Sequence, residues 1–409
     1  MRVCFVSRRF FPAISGMSVY AINLLRELVK AGHDVTMISQ YRGDPFGMRV
    51  YGGGPPPPVP GVRVIGLEAL GEQNGGDFER DIDRMVETIV AEHARQPFDM
   101  LHAQYGYPNG WAALLASARL GVPNVVSIQG GDGHWVGSCC DTHFQALRRV
   151  LDHANALLIG GESFIDEVTG RMGVDCARFT IVPGAVDTAR FAPPRREPGL
   201  AANPVRLLYH GRVDRRKGVL DFLDALAALR RRAVPFEATI SGVGPDVDAS
   251  REKAEDLELS PDWVRLTGYA DYEAVPDLYR KADVFVSPTH AEGFSNTILE
   301  AMASGLPVVS CRSVGVVDCL RDGENGLLTE PGDVAGLTDA LERIITDGAL
   351  RQRIARTALD ECRRIYSWEM VGRQIMGVYA DVAGKKPDVA FARDLPLVDC
   401  RFRAEPHLL

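Results

Sequence analysis

The chain has no apolar run of the roughly 18 residues that a membrane-spanning helix requires. It also lacks the charged head, apolar core and small-residue cleavage site of a secretory leader. Met1-Arg2-Val3-Cys4-Phe5-Val6 instead enters a strand pattern directly. The expected location is the cytoplasm, with peripheral contact at the inner membrane face left open. Positive charge is not in excess: the net charge is -8, which argues against bulk binding of nucleic acid while leaving local basic patches open. Eight cysteines, at 4, 139, 140, 176, 311, 319, 362 and 400, contain no CxxC spacing. Neither a zinc site nor a disulfide framework is indicated, and buried reduced thiols are the reading.

What is present is ordinary for a soluble globular protein, 46% hydrophobic and 24% charged over 409 residues. That length exceeds what one core usually supports, so two domains are expected. Short β-branched runs alternate with helical patterns in both halves, the sign of parallel sheets wrapped by helices. The first half offers strands at Val3–Ser7, Val35–Ile38, Met100–Ala103, Val125–Ile128 and Ala156–Ile159. A helix is expected from near Ser18, with Ile22, Leu25, Leu28 and Val29 on one face and Gly32 in the left-handed position past its end. Tyr51-Gly52-Gly53-Gly54 and the four prolines after it suit a surface loop, either a connector or an acceptor gate. A Pro/Gly-rich stretch places a linker at 191–204. The second half, 205–365, restarts with Val205–His210 and continues through Ala238–Ser241, Val284–Ser287 and Pro307–Ser310. Each half reads as a doubly wound, Rossmann-like α/β domain. Residues 366–409 are expected to form a C-terminal helix and tail that packs back on the first domain.

Two clusters carry chemistry. Gly211-Arg212-Val213-Asp214-Arg215-Arg216-Lys217-Gly218 follows a strand and precedes a helix, at the sheet edge where open α/β folds bind ligands. There Arg212 and Lys217 suit one diphosphate, although a basic turn taken alone is more often a solvated loop. The second is Glu292-Gly293-Phe294-Ser295-Asn296-Thr297-Ile298-Leu299-Glu300. Asn296 or Thr297 is expected to cap the helix that starts here, leaving first-turn N–H groups for phosphate or sugar oxygens. Glu292 sits before that helix and Glu300 about one turn inside it. Carboxylates bind vicinal hydroxyl pairs well.

With Asp322-Gly323-Glu324-Asn325-Gly326-Leu327-Leu328, these clusters resemble glycosyltransferase family four, the glycosyl transferases group 1. The resemblance covers nearly the whole chain. It includes Gly16, Ala31-Gly32-His33-Asp34-Val35, Val182-Pro183-Gly184-Ala185-Val186-Asp187 and Tyr366-Ser367-Trp368-Glu369. It implies a GT-B fold, two Rossmann-like domains facing a central cleft, and a retaining, metal-independent transfer from a nucleotide diphosphate sugar. No cofactor beyond that donor is implied. The acceptor, a lipid-linked sugar, an oligosaccharide or a small molecule, stays open.

By the same resemblance Arg212 and Lys217 would bind the diphosphate, Glu300 the ribose and Glu292 the sugar, with Arg212, Lys217 and Glu292 as the catalytic set. Backbone amides of Phe294, Ser295, Asn296, Thr297 and Gly16 would complete the donor pocket. In the family the nucleophile adds from the face that the leaving group vacates, a donor phosphate oxygen acting as base.

The sequence departs from the family at Ser15-Gly16, at Val314-Gly315-Val316-Val317-Asp318, and at Gln129, where a histidine is common. Gln129 is expected to touch a sugar hydroxyl rather than to exchange protons. Ser15, Asp132 and His134 are expected on the acceptor or sugar side. Arg8-Arg9-Phe10-Phe11 suits an anionic lipid-linked acceptor or a solvated pair beside a core aromatic. Rival readings are a nucleotide-sugar epimerase, which would turn over donor without acceptor, and a non-catalytic sugar-binding homologue. The intact charged set counts against the latter.

Overall fold

The structure, a computed structural model, describes residues 1–45, 53–132, 137–194 and 203–404. The chain divides into two compact units, Met1–Pro183 with Val371–Leu409, and Gly184–Met370. Much of the expected 191–204 linker lies outside the described residues.

The first unit holds seven strands, β1 (Arg2–Arg8), β2 (Asp34–Tyr41), β3 (Val62–Glu68), β4 (Met100–Gln104), β5 (Asn124–Ser127), β6 (Ala156–Ile159) and β7 (Phe179–Ile181). They pair in the order β3-β2-β1-β4-β5-β6-β7, every pair parallel. In β1 successive residues Val3, Cys4, Phe5 and Val6 are all fully buried, so both faces of the sheet are covered, as parallel sheets require. The helix Trp368–Val382 joins this unit through Val371, Ile375, Tyr379 and Val382, an apolar stripe at helical spacing. The Tyr379 hydroxyl meets His102 Nδ1 at 2.5 Å, and His102 Nε2 meets Ser127 Oγ at 2.8 Å. Burial drives the His102 imidazole down to about 3, so the ring stays neutral inside the sheet.

The second unit has six strands, β8 (Val205–His210), β9 (Phe236–Ser241), β10 (Val264–Gly268), β11 (Val284–Ser287), β12 (Val308–Cys311) and β13 (Leu327–Thr329). Their order is β10-β9-β8-β11-β12-β13, again wholly parallel. The chain enters each sheet near its middle, winds outward one way, then returns to wind the other way. The reversal leaves a crevice outside the carboxyl ends of β1 and β4 in one unit and of β8 and β11 in the other.

The four strands absent from the sequence reading, β3, β7, β10 and β13, are the four sheet edges. An edge strand is short or covered on one side only, so it carries no continuous apolar run. In β3 the exposed and half-exposed Arg63, Gly66 and Glu68 break the pattern.

Candidate functional site

In the second unit the turn after β8 and the loop after β11 meet at the crevice. Tyr209 at the end of β8 donates its hydroxyl to Arg212 O at 2.7 Å, fixing the start of the turn. Asp214 is buried and accepts from Arg216 N at 2.9 Å and Arg216 Nη2 at 2.6 Å, and lies 3.2 Å from Arg212 Nε. Burial alone would raise its carboxyl, but the Arg216 bonds and the nearby guanidiniums overcome this and bring it down to about 2. Asp246, after β9, accepts from Arg215 N and Arg215 Nη2 at 2.7 Å each. Arg215 and Arg216 are thereby engaged by carboxylates of their own unit, while the Arg212 side chain stays about half exposed.

Lys217 reaches from this turn to the β11 loop. Its ammonium donates to Ala291 O at 2.9 Å and pairs with Glu292 Oε1 at 2.8 Å. The approach is possible because Gly218 follows: it sits at φ +71°, and a Cβ there would lie 1.9 Å from Pro288 O. Glu292 is set by a third segment. Its N–H donates to Val314 O at 3.2 Å, and a Cβ on Gly315, at φ +78°, would lie 2.7 Å from Glu292 O. The sequence reading treated 314–318 only as a departure. Gly315 supplies a physical use for it, a close backbone seat for Glu292.

The helix Asn296–Ala303 begins one residue earlier than a cap at Asn296 would allow. Ser295 holds the cap position, yet no side chain caps the amino terminus. The Ser295 hydroxyl meets Thr297 Oγ1 at 3.2 Å instead. The expected cap by Asn296 or Thr297 is therefore corrected, and among the described residues no side chain caps this helix. Phe294 packs on Tyr366 with ring centroids 5.9 Å apart. Glu300 is buried and accepts from the Tyr279 hydroxyl at 2.8 Å. Burial raises its carboxyl to about 7, with the Tyr279 bond and the charge of Arg190 opposing. Tyr279 and Arg190 were missed by sequence reasoning, since neither stands in a motif. Arg190 is itself held by Glu273 Oε2 at 2.9 Å and by the Tyr272 ring, 3.8 Å from its guanidinium carbon.

In the first unit the crevice between β1 and β4 gathers Gly16, Gln104 and Gln129. The helix Gly16–Lys30 starts two residues before the expected Ser18, because Ser15 caps it in a capping box with Ser18: Ser15 N donates to Ser18 Oγ at 2.8 Å and Ser18 N to Ser15 Oγ at 3.3 Å. The Ser15 side chain thus has a structural task. Buried Gln104, absent from the sequence reading, accepts from Ser7 Oγ at 3.0 Å and donates to Met17 O at 3.0 Å and Gln129 Oε1 at 3.3 Å. Among the described residues, Gln129 Nε2 has no hydrogen-bond partner.

Asp132 does not line a crevice. It is 1% exposed and accepts from the N–H groups of Gly106 at 2.8 Å, Gln129 at 3.1 Å and Tyr107 at 3.3 Å. Burial lifts its carboxyl to about 7 against those three donors. Its expected place on the sugar side is corrected to that of a buried brace between two loops. His134 lies outside the described residues. The Arg8–Phe11 segment is corrected as well. Arg8 is buried and bonds Glu72 Oε2 at 2.7 Å, Glu72 Oε1 lies 3.3 Å from both Arg9 and Arg42, and Phe10 is buried. The segment is therefore not a solvated pair, although Phe11 stays half-buried.

Comparison with known proteins agrees along most of the chain. The profile described as "Glycosyl transferase 4-like domain" matches residues 15–185, and "Glycosyl transferases group 1" matches residues 204–347. Glycogen synthase of Mycobacterium tuberculosis (strain ATCC 25618 / H37Rv) is 28% identical over 426 residues, covering 98% of this chain and 99% of that protein. Among solved structures, sucrose-phosphate synthase from Thermosynechococcus elongatus superposes with a TM-score of 0.74 at 22% identity, covering 93% of this chain and 98% of that one. Anabaena HepE (Alr3699), in complex with UDP and glucose, gives 0.70 at 17%, covering 92% and 99%. The last two likenesses establish the fold, GT-B.

Proposed function

Since the chain belongs to the glycosyl transferases group 1 family and is a glycosyltransferase, we propose that it takes a sugar from a nucleoside diphosphate donor, UDP-linked in the first instance, and transfers it with retained configuration and without a catalytic metal. The observation that carries this reading is the Lys217–Glu292 pair at 2.8 Å, flanked by the half-exposed Arg212 and the uncapped amino terminus of Asn296–Ala303. HepE, of the same fold, binds UDP and glucose, which supports the choice of UDP.

In the proposed step the bond from the anomeric carbon to the diphosphate oxygen breaks, leaving negative charge on the diphosphate. Arg212, Lys217 and the N–H groups of residues 294–297 are aimed at that charge as it develops, the role a metal plays elsewhere. The acceptor oxygen bonds to the same face of the anomeric carbon, and its proton passes to the departing diphosphate. Glu292 holds sugar hydroxyls, and Glu300, ionised, takes the ribose hydroxyls. Within the first unit, Gln129 offers an amide nitrogen suited to a sugar hydroxyl, and Gly16 a backbone amide.

Among the described residues no helix is long and apolar enough to cross a membrane. We place the protein in the cytoplasm, where its eight free thiols would stay reduced. Thermal unfolding with UDP-, GDP- and ADP-sugars tests the donor, because a ligand held by the folded state raises the midpoint. Product anomers read by NMR test retention, and assay in brief EDTA against added manganese tests metal independence. Midpoints unmoved by every nucleotide sugar would reject the donor class. An inverted product, or activity that returns only with manganese, would reject the mechanism.

A further inference from the structure

Three cysteines and a histidine with no motif spacing converge in the first unit. Cys139 ends the short helix Gly137–Cys139, Cys140 stands at the amino-terminal cap of the helix Asp141–His153, and His143 lies in that helix's first turn. Cys400 arrives from the tail, 257 residues beyond His143. One ligand atom from each of the four lies within 4.8 Å of all the others. His143 Nδ1 is 2.9 Å from Cys139 Sγ and 3.7 Å from Cys400 Sγ.

The imidazole is fixed in this direction. It is fully buried against the rings of Tyr107, Phe78 and Phe402, with centroids at 4.5, 5.7 and 6.2 Å. Its Nε2 is buried without a hydrogen-bond partner among the described residues, so none of them seats the ring by a polar bond at that end. Its other nitrogen faces the sulfurs.

We propose that Cys139, Cys140, His143 and Cys400 form a closed structural zinc site. Tetrahedral zinc with sulfur at about 2.3 Å and nitrogen at about 2.0–2.1 Å needs ligand atoms roughly 3.5–3.8 Å apart. The observed 2.9, 3.7 and at most 4.8 Å surround that spacing, so a small contraction closes the shell. Soft thiolates with one imidazole select zinc, and four protein ligands leave no position for a reacting water. The thiol protons go to solvent as the metal binds.

The site would hold the tail. After Val382 the described chain runs without helix or strand until Arg401. It touches the first unit through Arg149 Nη1 to Asp394 O at 2.8 Å, Thr142 Oγ1 to Pro396 O at 2.5 Å and Arg403 Nη2 to Glu79 Oε1 at 2.6 Å. A metal bond at Cys400 fastens this segment near its far end. All four ligands belong to the first unit, whereas Arg212 and Lys217 belong to the second.

The test uses the full-length chain, untagged and reduced, equilibrated with equimolar zinc and desalted. Elemental analysis should find about one zinc per chain, as a single four-ligand site requires. Cobalt in its place should give thiolate charge-transfer absorption and the intense visible bands of tetrahedral cobalt. Cys400→Ser should weaken zinc binding at least about tenfold, the smallest loss seen when even an outer partner of a metal ligand is removed. Cys176→Ser, at an exposed thiol outside the cluster, should keep the full complement. Protease should cut within 383–400 faster in Cys400→Ser than in the zinc-loaded wild type. Less than about a tenth of a zinc per chain, or wild-type affinity in Cys400→Ser, overturns the proposal. So does a metal-free protein whose mass and peptide map show a Cys139–Cys400 disulfide.

Discussion

Removing the ammonium of Lys217 while keeping its backbone should separate charge from shape at the diphosphate. In the free protein the Lys217 side chain is about 29% exposed, and its ammonium is paired with Glu292 at 2.8 Å. A unit charge roughly 4 Å from a diphosphate oxygen gains about 4 kcal/mol at an effective dielectric of about 20. Partial exposure screens that toward about 3 kcal/mol, the loss found when one charge-stabilising donor is removed. At 1.36 kcal/mol per decade this is about a hundredfold. Lys217→Ala should therefore weaken UDP, measured by titration calorimetry, and slow UDP release from UDP-glucose, each by about that factor. Glu292→Gln should behave oppositely toward UDP. It frees Lys217 from a competing carboxylate, so UDP binding holds or tightens while turnover falls, because the sugar has lost its acceptor. In the double variant the two effects should not add, since the side chains touch. The reasoning fails if Lys217→Ala, with unchanged urea unfolding, costs less than about threefold in both measurements. It fails equally if Glu292→Gln and Lys217→Ala weaken UDP to the same extent.

Glu300, raised to about 7 by burial, must be ionised to accept two ribose hydroxyls, so UDP affinity should rise with pH through about 7. Glu300→Gln should remove that rise, leaving only the titration of the nucleotide, and a slope identical to wild type would exclude Glu300 from the ribose. Gln129→Ala should weaken every donor by about 1–3 kcal/mol, the cost of leaving polar groups unpaired. Gln129→His should retain transfer with an altered order of donor sugars, and wild-type kinetics in both would place Gln129 outside the site. Asp132→Ala should cost about 3 kcal/mol in urea unfolding, because it orphans three buried N–H groups. The folded state holds the Asp132 proton more tightly than the unfolded chain, so its contribution is largest in acid and is lost as pH rises through about 7. The gap between wild type and Asp132→Ala should then widen from pH 8 to pH 5, and a gap that narrows would contradict the buried-brace assignment.

Interior strands were legible because a strand covered on both faces is apolar at every position, as Val3–Val6 and Val284–Val286 are. The edges were not, for the converse reason. The turn proposed to hold the diphosphate was legible because its residues are consecutive in the chain: Arg212, Lys217 and the glycine that brings Lys217 to Ala291 lie within seven residues. What supports that chemistry was hidden. Tyr279 reaches Glu300 across 21 residues and Gln104 reaches Gln129 across 25, and neither pair has a spacing that repeats. Asp132 was misplaced because a polar residue in a glycine-rich loop reads alike whether it faces a ligand or its own backbone. Ser15 shows the same ambiguity, its hydroxyl serving the helix it precedes. The cysteine cluster was only partly local, Cys139, Cys140 and His143 lying within five residues, while its fourth member joins through the tail.

The chain leaves the first unit after Pro183 and returns at Val371. The strands of passage are stitched together, Val186 N–H to Tyr366 O at 2.8 Å and Trp368 N–H to Val186 O at 3.3 Å. The second unit is therefore a cassette inserted into the first, with both of its ends side by side. Hybrid enzymes made by a single crossover near residue 190 would pair one parent's β4 with the other parent's Tyr379, and so wager the His102 contact on a match between strangers. A graft that exchanges 184–370 as one block keeps that contact native and carries Arg212, Lys217, Glu292 and Glu300 across together. Donor preference should then travel as a transplantable trait, separable by two cuts from the unit that receives it.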